Sequence, residues 1–177
     1  IGLGIPAEPL FRSSYENFTI DALSSARIFN IETGSTVTLT GINFVNGGSA
    51  SVDYGGSIHS DAQDLTIDDC TFKGSYASED GGALFISGNG CKLSDSTFID
   101  NTAGDDGGAI CWNGDDGTIC NITCNNNTGI CNDDSNSRGG TISLTGNNVN
   151  ISKSSITAGR VVYSDGSDSS KIDGGAM

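Results

Sequence analysis

Paired carboxylates are the side chains of this chain with the clearest capacity for chemistry. Glu79-Asp80 and Asp105-Asp106 each stand directly before a Gly-Gly dipeptide, so the two pairs hold the same position in their local sequences. Carboxylate oxygens are the ligands that calcium prefers, and a cation between like charges relieves their repulsion. The hypothesis is a calcium site formed by Glu79, Asp80, Asp105 and Asp106. The alternative is a solvated acidic edge, which is favoured because Arg138 occupies the same position before a later Gly-Gly.

Carboxylate pairs could also serve a polysaccharide hydrolase or lyase, in which two acids share the proton transfers. The sole histidine, His59, has no Gly-His-Gly context, and the eight basic residues form no Arg-x-Lys group. We therefore interpret His59 as an ordinary surface residue and expect no catalytic site. A polysaccharide lyase or hydrolase is the less favoured alternative.

Five of the six cysteines fall into two groups. Cys70 and Cys124 take positions that other repeats fill with Ile, Ser or Phe, which favours buried, free thiols. Cys111, Cys120 and Cys131 lie in or beside a longer segment, where a Cys120–Cys131 disulfide is one hypothesis. Their spacing matches no standard zinc pattern, so no zinc site is predicted.

The elements that position these residues belong to an internal repeat. Four Gly-Gly pairs are each followed, 17 residues after the first glycine, by an apolar residue. These residues are Phe72, Phe98, Cys124 and Ile156. The return from the apolar residue to the next Gly-Gly varies in length, from 9 residues to 18. A constant unit with variable returns predicts stacked coils that carry variable loops on one edge.

Each repeat contains an apolar pattern that predicts short strands. The fourth residue counted from each Gly-Gly is large and aliphatic, and we place this column inside. Nine residues after the first glycine a polar corner follows, at Asp64, Gly90, Asp116 and Asn148. The next apolar positions are spaced three and then two apart, which implies a bend between two strands. The inward triplets are Leu39, Ile42, Phe44; Ile67, Cys70, Phe72; Leu93, Ser96, Phe98; Ile119, Ile122, Cys124; and Ile151, Ser154, Ile156.

These patterns predict an all-β chain, a right-handed parallel β-helix of five to six coils with three short strands per coil. We expect residues 1–15 to form an N-terminal segment or cap and residues 16–177 to form the repeat domain, as part of a longer array. Phe18 lies 26 residues before Phe44, which extends the phenylalanine column into the first coil, with Ile28 and Ile31 in the following strand. Trp112 aligns with Ile86 and is predicted to pack in the core.

With these columns in place, the chain resembles the polymorphic-membrane-protein type of repeat, whose marks are GGAI and FxxN. The marks stand here at residues 107–110 and 98–101. The chain is also similar to adhesin-like cell-surface proteins of methanogenic archaea, through the runs at 27–31, 38–47 and 107–114. It departs from the pattern where Phe72 is followed by Lys73-Gly74-Ser75 and where Cys124 replaces phenylalanine. The resemblance implies an extracellular β-helix displayed on a cell surface.

The composition of the chain limits the classes of partner that it could bind. A net charge of −14 argues against nucleic acid and anionic membrane surfaces, which would repel the chain, and no apolar run is long enough for membrane insertion. We expect a non-catalytic surface protein that attaches to a cell-surface glycan or protein through the loops Asn125–Arg138 and Thr157–Asp173. The alternative is a structural protein whose copies assemble into a fibre or sheath. No cofactor is expected apart from the calcium hypothesis.

Overall fold

The chain folds as a β-solenoid in which every strand pairs in parallel with strands of the neighbouring coils. The structure, a computed structural model, describes residues 11–12, 18–131 and 139–163, with the side chains of all of these except 11, 12, 131 and 163. The described residues are strands, turns and bends without helix. They therefore include no helix that is long and apolar enough to cross a membrane.

Four parallel sheets, here named I to IV, run along the solenoid. Sheet I contains β1 (Phe11–Arg12), β4 (Thr38–Thr40), β7 (Thr66–Asp68), β11 (Lys92–Ser94), β15 (Thr118–Cys120) and β19 (Asn150–Ser152). Sheet II contains β2 (Phe18–Asp21), β5 (Ile42–Val45), β8 (Thr71–Lys73), β12 (Thr97–Ile99), β16 (Thr123–Asn125) and β20 (Ser155–Thr157). Sheet III contains β9 (Tyr76–Ala77), β13 (Thr102–Ala103), β17 (Thr128–Cys131) and β21 (Arg160–Tyr163). Sheet IV contains β3 (Phe29–Ile31), β6 (Ile58–Ser60), β10 (Leu84–Ile86), β14 (Ile110–Trp112) and β18 (Ile142–Leu144).

The parallel β-helix predicted from the repeat is confirmed. In each central coil the chain visits sheets I, II, III and IV in that order, and the described residues make about four turns, so five to six coils was approximately right. Each full coil has the three predicted strands and a fourth, in sheet III, which can be as short as two residues. The right-handed sense of winding stays a prediction. In sheet I, Phe11 and Arg12 pair with Leu39 and Thr40, so part of the predicted N-terminal segment is a strand of the solenoid.

Left-handed backbone conformations turn the corners of each coil. The bend predicted between sheets I and II is confirmed, and so is the polar corner between sheets IV and I. Positive φ angles occur at the first bend in Gly41, Asp69, Asp95, Asn121 and Lys153, and at the second corner in Asp64, Gly90, Asp116 and Asn148. Gly, Asn and Asp adopt this region at the smallest cost, which explains their abundance at these corners.

Each Gly-Gly pair is fixed by two different constraints. The first glycine, such as Gly81 with φ +64°, takes a left-handed conformation, and a Cβ there would lie 2.1 Å from the Leu84 carbonyl oxygen. At Gly82 a Cβ would lie 2.2 Å from the Gly108 carbonyl oxygen on the next coil. A side chain at the second position would therefore push adjacent coils apart. This close approach explains why the dipeptide recurs before strands β6, β10, β14 and β18.

The core is a narrow stripe built from the predicted inward columns. In the central coils the aliphatic residue after Gly-Gly and the three apolar positions that follow are buried, as predicted, and Trp112 is also buried. Phe44, Phe72 and Phe98 form a stack in which successive ring centroids lie 4.8 Å apart, with planes 9° and 6° from parallel. That spacing equals the rise between paired strands, about 4.8 Å. The rings therefore keep contact along the solenoid.

The predicted extension of this column to Phe18 was wrong. Phe18 pairs with Ile42 and is 49% exposed, and Ile20 is the residue that pairs with Phe44. In the following strand, Phe29 rather than Ile28 pairs with Ile58. The interval from Ile20 to its partner Phe44 is thus 24 residues rather than 26. A count of 26 residues back from Phe44 therefore lands two positions too early, at Phe18.

A buried asparagine ladder joins coils at the corner between sheets II and III. The Asn101 side chain accepts a hydrogen bond from the Ser75 N–H (2.9 Å) and donates one to the Phe72 carbonyl oxygen (3.0 Å). It also donates to Asn127 Oδ1 (2.9 Å), and that oxygen accepts from the Asn101 N–H (3.0 Å) as well. The asparagine of FxxN therefore satisfies backbone groups that the turn would leave unpaired.

Candidate functional site

The outer face of sheet IV carries a column of side chains held in register by the strand pairing. Strand β10 places Phe85 beside His59 on one side and beside Cys111 on the other. Ser143 follows beside Cys111. Because side chains alternate between the two faces of a strand, these residues point away from the core that Leu84 and Ile86 enter. His59 and Phe85 are partly exposed, whereas Cys111 is buried.

A tyrosine from the preceding loop packs onto this column. Tyr54 stands directly before Gly55-Gly56, in the position that Asp80 and Asp106 take in the next two coils. Its ring centroid lies 4.9 Å from that of Phe85 and 6.4 Å from that of His59, and the His59 and Phe85 rings are 5.1 Å apart. Tyr54 remains 38% exposed. We name these three residues, Tyr54, His59 and Phe85, the aromatic ridge.

Arg27 holds the loop that presents Tyr54. Its Nε donates to the carbonyl oxygens of Tyr54 and Gly55, both at 3.1 Å, and one terminal nitrogen donates to the Tyr54 oxygen at 2.7 Å. The other terminal nitrogen donates to Asn30 Oδ1 at 3.3 Å. These hydrogen bonds fix the backbone on which the tyrosine side chain depends.

Polar groups border the ridge at His59. His59 Nε2 lies 3.3 Å from Asp61 Oδ1, and the same carboxylate oxygen accepts a hydrogen bond from the Ser87 hydroxyl. That hydrogen bond lowers the pKa of Asp61 and His59 lowers it further, against burial, which raises it. Serine and histidine thus share a carboxylate and do not contact each other in this arrangement. The histidine is therefore not placed on the serine hydroxyl, unlike in a serine–histidine pair of nucleophilic catalysis.

Carboxylates extend this surface beyond the ridge. Asp80 and Asp106 hold the position of Tyr54 in the next two coils, and Glu79 precedes Asp80. We name Glu79, Asp80 and Asp106 the acidic edge, and we call the ridge and the acidic edge together the strip. Asp80 Oδ1 accepts the Asp106 N–H at 3.1 Å, and the Ser143 hydroxyl donates to Asp106 Oδ2 at 3.3 Å. Burial, followed by the charges of Asp106, Asp105 and Glu79, raises the pKa of Asp80 against the backbone hydrogen bond, which lowers it.

The two halves of the strip share one electrostatic environment. Burial, and then the negative charges of Asp80, Glu79 and Asp53, raise the pKa of the Tyr54 phenol. Burial, and then the charges of Asp80, Asp106 and Asp105, raise the pKa of the Cys111 thiol well above its ordinary value. The phenol and the thiol are therefore neutral near pH 7, and the strip carries negative charge.

The structure brings together the residues of the calcium hypothesis without showing a metal cluster. Glu79 and Asp105 lie on adjacent coils joined by a backbone hydrogen bond of 2.9 Å, and Asp80 and Asp106 are linked as described above. In residues 18–131 and 139–163, no three His, Cys, Asp or Glu side chains form a group that could hold a metal ion. Calcium at Glu79, Asp80, Asp105 and Asp106 stays a prediction.

The structure confirms one of the two cysteine predictions and does not form the predicted disulfide. Cys70 and Cys124 are buried and free, as predicted, and burial raises the pKa of Cys70 to about 11 and that of Cys124 to about 12. Cys120 carries a free thiol in sheet I, whereas Cys131 belongs to a strand of sheet III, so the structure does not form the hypothesised Cys120–Cys131 disulfide. The side chain of Cys131 lies outside the described residues.

Sequence reasoning missed the aromatic ridge. It interpreted His59 as an ordinary surface residue, and the structure places it in contact with two other rings. The signal was present: Tyr54 precedes a Gly-Gly as the acidic residues do, and its return loop from Phe44 is 11 residues rather than the 9 of the next two coils. The predicted binding loops begin too early, because Thr128–Cys131 and Arg160–Tyr163 are strands β17 and β21 of sheet III. The parts of these loops at 132–138 and 164–173 lie outside the described residues.

No protein-family model, curated protein or solved structure matches this chain. The strip on sheet IV is therefore interpreted from its own geometry.

Proposed function

We propose that this chain is a non-catalytic attachment module of a cell surface, and that it binds glycans through the outer face of sheet IV. The observation that carries the proposal is the aromatic ridge, in which three rings contact one another on the outer face of sheet IV. A pyranose ring offers a face of C–H groups that packs against such rings, while polar neighbours bond its hydroxyl groups. The extracellular location is part of the proposal and comes from the resemblance of the repeats.

Two features support attachment over catalysis. The ridge is held on a sheet and by the Arg27 hydrogen bonds, which suits a preorganised binding surface. Ser87 and His59 both contact Asp61, so His59 does not contact the Ser87 hydroxyl as a serine–histidine pair would require. The predicted loops can add contacts, but the ridge alone supplies a testable surface.

The experiment is a glycan-array screen of the native chain, followed by calorimetric titration of the glycans that bind. Tyr54→Ala and Phe85→Ala are expected to lower the affinity by about tenfold or more, because aromatic anchors dominate contact energies. Phe18→Ala is the matched control, since Phe18 is an exposed aromatic residue of sheet II rather than of sheet IV, which carries the ridge. Absence of any glycan ligand, or equal affinity in all variants, would reject the proposal.

Self-assembly is a second candidate, because parallel sheets such as I to IV can pair edge to edge with those of a second copy. Sedimentation velocity of the native, full-length protein separates these cases, because polymers that grow with concentration indicate assembly and a constant monomer excludes it.

A further inference from the structure

We infer that a water molecule binds inside the solenoid beside Gly159, where it takes the place of the next side chain of the asparagine ladder. The site involves no residue of the strip on sheet IV, so the inference is independent of the proposed function. Three polar groups of the preceding coil carry it: the Thr141 hydroxyl, the Asn127 N–H and the side-chain amide of Asn127.

The Thr141 hydroxyl is buried without a partner. Thr141 is 1% exposed, and its Oγ1 forms no hydrogen bond within the described residues. A buried hydroxyl without a hydrogen bond is costly, and two earlier coils avoid that cost because Ala83 and Ala109 take the same position in them. The hydroxyl of Thr141 therefore indicates a partner that the described residues do not supply.

The asparagine ladder ends at the same place. Ser75, Asn101, Asn127 and Gly159 form one column, since each stands directly before a paired residue of sheet III. Asn101 and Asn127 each supply an oxygen that accepts the N–H of the residue one coil earlier. Gly159 has no side chain to do the same, and the N–H of Asn127, which is 0% exposed, has no acceptor among the described residues.

The side-chain amide of Asn127 is in the same position. One of its hydrogens bonds the Phe98 carbonyl oxygen at 3.1 Å, as the Asn101 amide bonds the Phe72 carbonyl oxygen. The second hydrogen of the Asn101 amide goes to Asn127 Oδ1, which is the next side chain of the ladder. For the Asn127 amide the next position is Gly159, so its second hydrogen has no acceptor among the described residues.

An earlier coil shows that these groups meet at one point. Residues 57 and 141 belong to one column, directly before strands of sheet IV that pair through the solenoid. Ser57 Oγ lies 2.7 Å from Ser75 Oγ, the ladder position one coil later. By the same geometry, a side chain at position 159 would lie beside Thr141 Oγ1 as well as beside Asn127. Glycine at this position leaves the room that an asparagine side chain fills one coil earlier.

Water matches the donors and acceptors of this site. Its oxygen can accept from the N–H and the amide of Asn127, and one of its hydrogens can be donated to Thr141 Oγ1. Buried waters typically make about three such hydrogen bonds. A cation does not fit, because two of the three groups are N–H donors, and an anion would carry the cost of an isolated buried charge.

The direct test is a crystal structure of the native chain in which ordered waters are visible. The expected result is one water within about 3.2 Å of both Thr141 Oγ1 and the Asn127 nitrogen. A site without water, or a Thr141 hydroxyl bonded to a group of the protein, overturns the inference.

Urea denaturation tests the same water through the Thr141 hydroxyl. Thr141→Val keeps the shape of the side chain and removes the hydroxyl, so the water loses a partner and the midpoint is expected to fall. Without a bound water the variant would instead remove an unpaired buried hydroxyl, and the midpoint would rise. Thr123→Val, an exposed change on sheet II, corrects for the preference of valine for strands. A midpoint at or above that of Thr123→Val contradicts the inference.

Gly159→Asn tests the site from the other side. The asparagine is expected to displace the water, to accept the Asn127 N–H and to raise the urea midpoint above that of Gly159→Ala. Gly159→Ala is the matched control, because it adds a Cβ without a polar group. Equal midpoints of these two variants would show that the three groups take no polar partner at position 159, and would overturn the inference.

Discussion

At the residue scale, Asp80 connects the strip to the stability of the fold. It lies half-buried between two coils and accepts the Asp106 N–H, while burial and three neighbouring carboxylates raise its pKa. Asp80 therefore carries its negative charge at an energetic cost in the folded state, and it lies in the strip that we propose for ligand binding. Functional sites are where such local costs are expected.

Asp80→Asn is therefore expected to stabilise the protein near neutral pH. Because the pKa of Asp80 in the folded state lies above its ordinary value of 3.8, the folded state binds more protons than the unfolded state above that pH. The stability of the wild type accordingly falls as pH rises from 3.8 through the folded-state pKa, and the asparagine variant lacks this loss. Urea unfolding at about pH 3 and pH 7 measures it, with a difference between the proteins at pH 7 alone.

Asp100→Asn is the control for this measurement, since it removes one carboxylate from an exposed corner outside the strip. If Asp80→Asn is less stable than the wild type at pH 7, then the hydrogen bond from the Asp106 N–H stabilises the charged carboxylate by more than burial destabilises it, and the expected gain in stability is wrong.

At the scale of elements, the asparagine ladder shows how a two-residue strand is held in place. Sheet III contributes strands as short as Thr102–Ala103, which bury little by themselves. The buried Asn101 side chain completes the adjoining corner by bonding groups of two neighbouring coils. The asparagine ladder therefore links neighbouring coils at the corner, as the phenylalanine stack links them beneath sheet II.

Asn101→Ala is expected to destabilise the protein by roughly 3 kcal/mol, because it leaves the buried Ser75 N–H and Phe72 carbonyl oxygen without this partner. Asn125→Ala, an exposed change two residues from the next rung of the ladder, should cost less than about 0.5 kcal/mol. Chemical denaturation of both variants provides the comparison. Equal effects would show that the ladder contributes no more than a surface side chain does.

The elements also show what the sequence could and could not predict. Ile110 and Phe98 were placed correctly because a constant interval repeats their environment in every coil. Phe18 was misplaced because its coil is shorter, and the ladder residue Asn127 was overlooked because Cys124 replaces the phenylalanine that marks FxxN. Tyr54 was missed although its position before Gly-Gly recurs, because an aromatic residue fills that position in one coil only and the spacing does not reveal its contact with the next coil.

At the scale of the whole molecule, the solenoid behaves as a stack in which each coil contacts its two neighbours. Strands of sheets I, II and IV pair from coil to coil in a constant register, so that Leu84 pairs with Ile58 on one side and with Ile110 on the other. Stability should then be approximately a sum over coils and their interfaces. The position of the strip is tied to this order, because the rings and carboxylates come from successive coils.

Removal of one whole coil tests this description. Deletion of residues 79–104, 26 residues, joins Ser78 to Asp105 and leaves every column in phase, so the product is expected to fold with a β-sheet circular dichroism spectrum and a lower denaturation midpoint. Deletion of residues 92–104, half that length, brings sheets of different type into register and is expected to prevent folding. The whole-coil deletion also removes Phe85 and Asp80 and should abolish glycan binding while the fold survives. Equal damage from the two deletions would mean that the coils do not act as interchangeable units, and that the molecule folds as one indivisible core.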